Sequence, residues 1–291
     1  MIKKLLLLLL LKTTMVNFCY AEGSKIRVWE HTQNKPGIIG LVLHRALEVT
    51  SEEYGDYELV NSGKMEQDRA LRELVSDRLD IAHFVPTIER EFLITPIRIP
   101  IMQGLLGYRL CLINENNQET FEGITNKQQW IDKGITIGQH QSWPDTTILK
   151  SNGINVHTTF KRDLLFYQLS KGRFDCFSRG ISEISNEKES HKSLPLAIEE
   201  NIVIYYPLPQ FFFVNPSKPI LMARLQTGLM HLQKSGELNR IFDNYYHPII
   251  SELNLKQRTF IPLQNPTLSP MTIDALLQPS ARFKNHYLSG E

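Results

Sequence analysis

The sequence has 291 residues, of which 42% are hydrophobic and 22% are charged, and its formal net charge is +1. This length and composition suit a soluble protein with a well-buried core, large enough for two lobes. The near balance of charges gives no electrostatic pattern for binding nucleic acid or an anionic membrane surface.

Residues 1–21 have the pattern of a secretory signal peptide. Two lysines precede a run of seven leucines, and the small residue Ala21 stands at the predicted cleavage point. A membrane anchor is the alternative, but the leucine run is far shorter than the ~20 residues that span a bilayer. Lipid attachment at Cys19 is a further alternative, against which the bulky Phe18 argues. Cleavage removes three lysines and no acid, so it changes the net charge from +1 to −2.

The next part of the chain alternates strands and helices, as a wound α/β lobe does. Asp80–Phe84 is a short apolar run that ends before Pro86, which predicts a buried strand. The elements predicted before it are strand Lys25–Glu30, loop His31–Pro36, helix Gly37–Val49, strand Tyr57–Val60 and helix Gln67–Arg78.

The loop after this strand holds the strongest candidate for a ligand contact. Thr87 is predicted to cap a short helix whose first turn contains Glu89, Arg90 and Glu91. A cation there opposes the helix dipole by roughly 0.3–1 kcal/mol, so Arg90 either pairs with the flanking glutamates at the surface or has another partner. Because ligands of open α/β sheets bind beyond the carboxyl ends of strands, Arg90 is a candidate clamp for an anion.

A second lobe is predicted after an extended apolar run, Ile97–Asn114, which two glycines make too irregular for one buried helix. Renewed alternation of strand and helix predicts a second, mainly parallel sheet. Its elements are strand Ile135–Gly138, helix Pro144–Ser151, strand Asn155–Thr158, helix Arg162–Lys171 and strand Arg173–Ser178. Another extended run, Ile202–Val214, contains two prolines that exclude a helix and returns the chain to the first lobe.

The C-terminal part begins with the longest helical segment, Pro219–Tyr246, which has a break near Gly236 and is predicted to pack across the first lobe. Residues 259–291 are rich in proline and are predicted to form a tail that packs on that lobe. Cys111 and Cys176 remain after signal cleavage. Both lie in apolar, strand-like runs, so they either form a disulfide or stay as buried thiols.

The segment Leu79–Arg90 resembles type 2 periplasmic solute-binding proteins of amino-acid ABC transporters. In that family an Asp-led strand precedes a loop with a threonine, here Thr87, and a Glu-Arg pair that here ends at Arg90. The resemblance covers about residues 24–250 and implies an α/β fold of two wound lobes joined by two extended crossover strands (periplasmic binding protein-like II). It also implies that Arg90 holds a ligand carboxylate, and that His83 lies where the family often has serines or carbonyls in the site.

In the second lobe, Gly138–Asp145 resembles the family's Gly-Thr-Thr turn, with Ser142 in place of the threonine. Free amides at the start of the following helix favour an anion there. Asp145 in the first turn either competes with such an anion or accepts an ammonium group. The neighbouring Trp143 either stacks on a ligand or packs at the helix start.

One departure from the family concerns the ligand's amino group. Amino-acid binders commonly carry an aspartate about five residues after the strand aspartate, and counted from Asp175 this sequence has Arg179 or Gly180 there. The departure favours an anionic ligand, or an amine held by Asp145 or Glu183. Arg179 is either a cation in the cleft or the partner of Glu183 one helical turn away.

A second departure is the short loop after the first strand, which lacks the family's usual stacking aromatic. Trp29 and His31 either substitute for that aromatic or complete a core. Motifs for catalysis, metals and phosphate are weak or missing: the sequence has no HExxH, CxxC or GxxxxGK[ST] pattern, and His140, Ser142 and Asp145 are merely close in sequence. No cofactor or metal is therefore predicted.

The sequence thus predicts a monomeric periplasmic protein, not an enzyme, that closes by hinge motion over a small anionic or zwitterionic solute. Its partner is a membrane permease or a sensor receptor. The alternatives are a periplasmic dehydratase with Asp145, Glu30 or His83 as general acid, and a signalling module without a small ligand. The predicted domains are the signal 1–21, lobe 1 from 22–107 and 208–258, lobe 2 from 108–207, and the tail 259–291.

Overall fold

The computed structural model describes residues 24–33 and 37–288, so the predicted signal peptide and its cleavage site lie outside the described residues. The strands are β1 (Ser24–Val28), β2 (Tyr57–Asn61), β3 (Ile81–Phe84), β4 (Pro96–Ile97), β5 (Tyr108–Asn114), β6 (Thr136–His140), β7 (Asn155–Thr159), β8 (Cys176–Gly180), β9 (Leu196–Ile198), β10 (Ile202–Tyr205), β11 (Phe211–Val214) and β12 (Thr259–Pro262). The helices are α1 (Glu30–Gln33), α2 (Ile38–Glu48), α3 (Ser51–Tyr54), α4 (Gln67–Val75), α5 (Ile88–Leu93), α6 (Lys127–Asp132), α7 (Pro144–Ser151), α8 (Arg162–Ser170), α9 (Ile181–Ser190), α10 (Pro219–Lys234), α11 (Glu237–Ser251) and α12 (Pro270–Phe283).

The first lobe is built on a five-stranded sheet in the order β2-β1-β3-β11-β4. β1 pairs in parallel with β2 and β3, while β11 runs antiparallel to β3 with Phe212 opposite His83. All four residues of β3 are buried, as expected for an apolar central strand with helices on both faces. Helices α2 and α10 pack so closely that a side chain at Gly228 would meet the carbonyl of Ala46 at 2.0 Å.

The second lobe is built on a sheet in the order β12-β10-β5-β8-β6-β7, with β9 also paired to β5. β6 is parallel to β7 and β8, but β5 is antiparallel to β8, β9 and β10, so the sheet is mixed rather than mainly parallel. Helix α7 has the bounds predicted from the sequence. The last predicted strand is shifted, because Cys176–Gly180 rather than Arg173–Ser178 forms β8, and α9 follows it directly.

Cys111 on β5 and Cys176 on β8 form a disulfide, which decides between the two alternatives left open by the sequence. Their Cα atoms are 5.1 Å apart, and both residues are buried between the sheet and its covering helices. The bond closes a loop with a sequence separation of 65, for which the chain-entropy model gives about 4 kcal/mol of stabilisation.

Two crossovers join the lobes and lie side by side. The Tyr206 amide donates to the carbonyl of Gly107 over 3.1 Å, and Ile101 donates to the carbonyl of Gln210 over 3.1 Å. A side chain at position 107 would lie 2.2 Å from the Tyr206 carbonyl, so the glycine permits this close approach. Within residues 24–33 and 37–288, no helix has the length and apolar character needed to span a membrane.

The C-terminal tail differs from the prediction that it packs on the first lobe, because it contacts both lobes. Strand β12 extends the second sheet by pairing in parallel with β10, which covers an otherwise open edge. Beyond it, Ser269 and Thr272 donate to the Glu91 carboxylate on α5, at 2.8 and 2.5 Å. Phe283 is buried against Tyr108 at the base of the first crossover.

Candidate functional site

A cleft of about 600 Å³ lies where α5 of the first lobe faces the start of α7 in the second. Residues from both lobes and from the tail surround it. They are Asp68 and Leu71 on α4, Thr87–Arg90 and Leu93 around α5, Gln141–Pro144 and Thr147 around α7, and Pro266 and Thr267 in the tail. Four of the residues predicted from the sequence therefore border one space: Thr87, Arg90, Ser142 and Trp143.

Thr87 caps α5 as predicted, since its hydroxyl accepts the Arg90 amide over 3.1 Å. The Arg90 side chain folds back along the helix start. Its two Nη atoms donate to the Val85 carbonyl at 2.8 Å and to Oε1 of Gln67 at 2.9 Å, and its guanidinium lies over the Phe84 ring. Two of its five N–H groups are thus used within the described chain, and the geometry of the fork is fixed.

Arg90 is a buried cation whose partners are neutral. Only 9% of the residue is exposed, and its guanidinium donates to neutral oxygens without a salt bridge to any carboxylate of the described residues. Burial lowers the pKa of Arg90, although Asp68 and Glu89 at the rim partly oppose this. A buried charge without an opposite charge is costly, so an anion in the cleft would stabilise this arrangement.

The second-lobe side of the cleft differs from its prediction. The amide and the hydroxyl of Ser142 both point to Nδ1 of His140, at 3.3 and 3.1 Å, while Nε2 of that ring lies 2.7 Å from the Phe160 carbonyl. Because the Ser142 amide can only donate, Nδ1 accepts, so the Ser142 hydroxyl also donates to Nδ1 and Nε2 donates to the Phe160 carbonyl. The Trp143 amide also turns inward, to the His140 carbonyl. The expected group of free amides around Ser142 is therefore not formed.

Trp143 contributes a half-buried ring to the cleft. Arg179 lies 4.8 Å from its ring centroid, and the Phe177 ring stacks beyond it at 6.4 Å. The His140 ring lies 5.5 Å from the same indole, so Trp143 is held by packing within its own lobe while part of it borders the cleft.

Asp145 and Arg179 lie behind the cleft and do not border it. Oδ1 of Asp145 accepts from Nη2 of Arg109 at 2.5 Å and from the Tyr206 hydroxyl at 2.6 Å. Arg179 binds Glu187 through two nitrogens at 2.5 and 2.7 Å, and Glu183 at 3.0 Å. Asp145 as an ammonium acceptor and Arg179 as a cation in the cleft are therefore contradicted, and Arg179 is the salt-bridge partner that the alternative described.

His31 and His83 border a second hollow of about 290 Å³, next to Glu183 on α9. The His83 ring contacts the Thr32 hydroxyl at 2.8 Å and stacks on Trp29. Burial, with a smaller effect of His31, lowers the pKa of His83 to about 3, so the ring is neutral at ordinary pH.

Trp29 is a core residue, 5% exposed, whose indole nitrogen donates to the Met65 carbonyl. Trp29 borders neither the cleft nor the second hollow. The candidate general acids of the dehydratase alternative do not face the cleft either. Asp145 is bound by Arg109, and His83 is buried and neutral. Glu30 is not among the residues that surround the cleft.

The structure adds site residues that the sequence did not indicate. Gln67 on α4 holds the Arg90 guanidinium, and Leu71 one turn later borders the cleft. Gln67 and Leu71 lie one turn apart on the same face of α4, and their role becomes clear only when α5 is known to pack beside that face. Pro266 and Thr267 reach the cleft only because β12 directs the tail between the lobes, and no local pattern signals this.

Two α/β lobes, two adjacent crossovers and a cleft between the lobes define the fold of the type 2 periplasmic solute-binding proteins. No protein-family model and no curated protein matches the sequence. Solved structures share the fold. An ancestral arginine-binding protein bound to arginine is 15% identical, with a TM-score of 0.55, and the match covers 77% of this chain and 98% of that one.

Two further structures have the same relation to this chain. An ancestral amino-acid-binding protein, a precursor of cyclohexadienyl dehydratase, is 15% identical with a TM-score of 0.53, covering 77% of this chain and 95% of the other. A structure from work on glutathione import via GshT and the cystine importer of Streptococcus mutans is 13% identical with a TM-score of 0.55, covering 77% and 95%. These neighbours are matched almost in full, while about a quarter of this chain lies outside the match.

Proposed function

We propose that this protein is a periplasmic solute-binding protein that captures a small anionic or zwitterionic solute between its two lobes. The observation that carries the proposal is Arg90, a buried guanidinium at the cleft whose contacts within the described chain are all neutral. Two other buried arginines, Arg109 and Arg179, have carboxylate partners, whereas Arg224 in the first lobe donates only to neutral oxygens, as Arg90 does. The feature that supports a ligand-binding role for Arg90 is therefore its neutral surroundings combined with its position at the cleft between the lobes.

The Arg90 side chain is prepared for a carboxylate. The Val85 carbonyl and Gln67 hold two of its N–H groups, which fixes the guanidinium plane before a ligand arrives. A carboxylate in the cleft would accept two of the remaining N–H groups, as Arg-carboxylate pairs commonly do. Because the guanidinium is already oriented, little side-chain entropy would be lost on binding.

Closure of the lobes would bring Trp143 and its turn onto the solute from the side opposite Arg90. The closed form then offers a surface to a partner, which for a transport protein is the permease of an ABC importer and for a sensor is a receptor. The fold neighbours that bind amino acids support the binding class. The predicted signal peptide supports the periplasmic location, and a monomer suffices for this mechanism.

A thermal-shift screen of amino acids, carboxylates and small peptides tests the proposal, because a ligand of the folded state raises the melting temperature. For the best solute, Arg90→Gln is expected to weaken binding about 10- to 100-fold, the cost of losing charged hydrogen bonds. Arg162→Gln is the control, since Arg162 is half-exposed on α8 of the second lobe. A screen without any shift, or equal affinities of both variants, would refute the assignment.

A further inference from the structure

We infer that the solute is a monocarboxylate with an apolar body, and that Pro266 and Thr267 of the tail form part of the surface that receives this body. The inference rests on the proposed function and specifies the solute class of the same cleft. It is carried by three observations: the charges around the cleft, its apolar lining, and the way in which the tail is anchored.

The charges of the cleft suit one negative group. The carboxylates that would serve an amino-acid ammonium group are already paired, because Asp145 binds Arg109 and Glu183 lies 3.0 Å from Arg179. The carboxylates that do border the cleft, Asp68 and Glu89, are exposed at its rim. An ammonium group gains little from exposed carboxylates.

The lining also disfavours a second carboxylate on the solute. A second negative group would lose hydration without a cation to pair with. Arg90 can satisfy one carboxylate, and the cleft has no second cation among its described residues.

Six of the eleven remaining lining residues are apolar, and the other five are uncharged polar residues. We call this set the apolar wall; its members are Leu71, Ile88, Leu93, Trp143, Pro144 and Pro266. They come from α4, α5, the start of α7 and the tail, so they surround the space next to Arg90 from several sides. A polar solute would leave this surface unused, whereas an alkyl or aryl group would bury it.

The tail portion of the lining is firmly held. The Thr267 carbonyl accepts the Ile88 amide at 2.8 Å, and the Thr267 amide and hydroxyl both donate to Oδ1 of Asn265. Asn265 in turn donates to the Pro207 carbonyl in the second crossover. These bonds hold Pro266 and Thr267 in place at the cleft, where they contribute a proline ring and a threonine methyl to the lining residues.

The experiment uses isothermal titration calorimetry on the chain without residues 1–21. The probes share one body and differ in their charged groups: 3-phenylpropanoate, L-phenylalanine, phenylsuccinate and 3-phenylpropan-1-ol. We expect 3-phenylpropanoate to bind about tenfold or more tightly than each of the others, since they add an unpaired charge or lack the carboxylate.

The contribution of the tail is tested with Pro266→Ser and with Pro262→Ser as its matched control. Pro262 is exposed on β12 in the same tail and does not border the cleft. Pro266→Ser is expected to weaken binding of 3-phenylpropanoate about 4- to 15-fold, the effect of one or two lost CH₂ contacts, and to leave binding of acetate unchanged. Thr267→Ser, which removes one methyl and keeps the hydroxyl, should weaken binding of 3-phenylpropanoate about fourfold.

The outcomes separate this inference from the function on which it rests. Equal or tighter binding of L-phenylalanine or phenylsuccinate, or equal effects of Pro266→Ser and Pro262→Ser, would overturn the inference. If such a polar solute loses its binding in Arg90→Gln, the proposed function still stands. If no probe binds and the thermal-shift screen of amino acids, carboxylates and small peptides shows no shift, the proposed function is wrong and the inference falls with it.

Discussion

Replacing Asp145 distinguishes a structural carboxylate from a ligand contact. Asp145 accepts from Arg109 and Tyr206, and Arg109 is 3% exposed, so the Asp145→Ala variant leaves a buried guanidinium without its main counter-charge. Burial alone lowers the pKa of Arg109, but Asp145, with smaller effects of Tyr206 and Glu183, raises it above its usual value. Breaking a buried ion pair on one side costs about 3–5 kcal/mol, which we expect as the loss in free energy of unfolding.

Two substitutions with smaller expected losses of stability serve for comparison, one in the same cluster and one at the surface. Tyr206→Phe removes one hydrogen bond to a charged acceptor and should cost about 1.5–3 kcal/mol. Asp163→Ala on α8, whose side chain is 86% exposed, should stay within about 0.5 kcal/mol of the wild type. Urea denaturation followed by fluorescence measures all three, with equal m-values as a check on two-state behaviour. A stable Asp145→Ala protein that loses an ammonium-bearing solute would refute this reasoning and restore Asp145 as a ligand contact.

Two further predictions concern stability. Cys111→Ala with Cys176→Ala should lower the free energy of unfolding by about 4 kcal/mol, because the loop of 65 residues is no longer closed, and denatured wild type without its signal should show no free thiol. His83 takes up a proton more readily in the unfolded chain, since its folded pKa is lowered to about 3 from 6.5. The full free energy of unfolding that goes with a neutral His83 is present above pH 6.5, and it falls by about 1.4 kcal/mol per pH unit as the pH drops toward 3. His83→Gln should therefore make the free energy of unfolding less dependent on pH in this range.

Controls for these two predictions come from the same chain. The matched substitution for comparison with His83→Gln is His231→Gln, which replaces an exposed histidine on α10. Reductant should lower the urea midpoint of the wild type but not that of the double cysteine variant. A wild type with two reactive thiols, or a His83→Gln variant that keeps the wild-type slope between pH 6 and 4, would contradict the respective prediction.

Much of the fold follows from local sequence signals. Pro144 at the start of α7 and Gly153 just after its end indicate its bounds directly, and the Thr87 cap gives the start of α5. Helix α9 escapes prediction because Ile181–Ser190 is mostly polar and follows β8 without a loop. The mixed pairing of β5 could not be predicted either, since its partners β8, β9 and β10 lie more than 60 residues away.

The site residues show the same distinction between local signals and distant partners. Arg90 and Thr87 could be placed from the sequence because a strand end, a cap and a helix start lie within a few residues. Asp145 and Arg179 could not, because their roles depend on what reaches them in the fold: Arg109 and Tyr206 for one, Glu187 on α9 for the other. Charged residues near a strand end identify a region, while their partners decide whether they face a ligand.

The path of the tail sets a limit on how far the cleft can open. Gln264 exchanges two hydrogen bonds with Asn152 at the end of α7, and three residues later Thr267 is bonded to Ile88 at the start of α5. Three residues span at most about 11 Å when fully extended. The tail segment therefore links the two lobes across the cleft with a fixed maximum length. Opening the cleft further requires the hydrogen bonds of Gln264 or those of Thr267 to break. Large solutes would then enter and leave at the rate at which these bonds break rather than at the rate of the lobe movement.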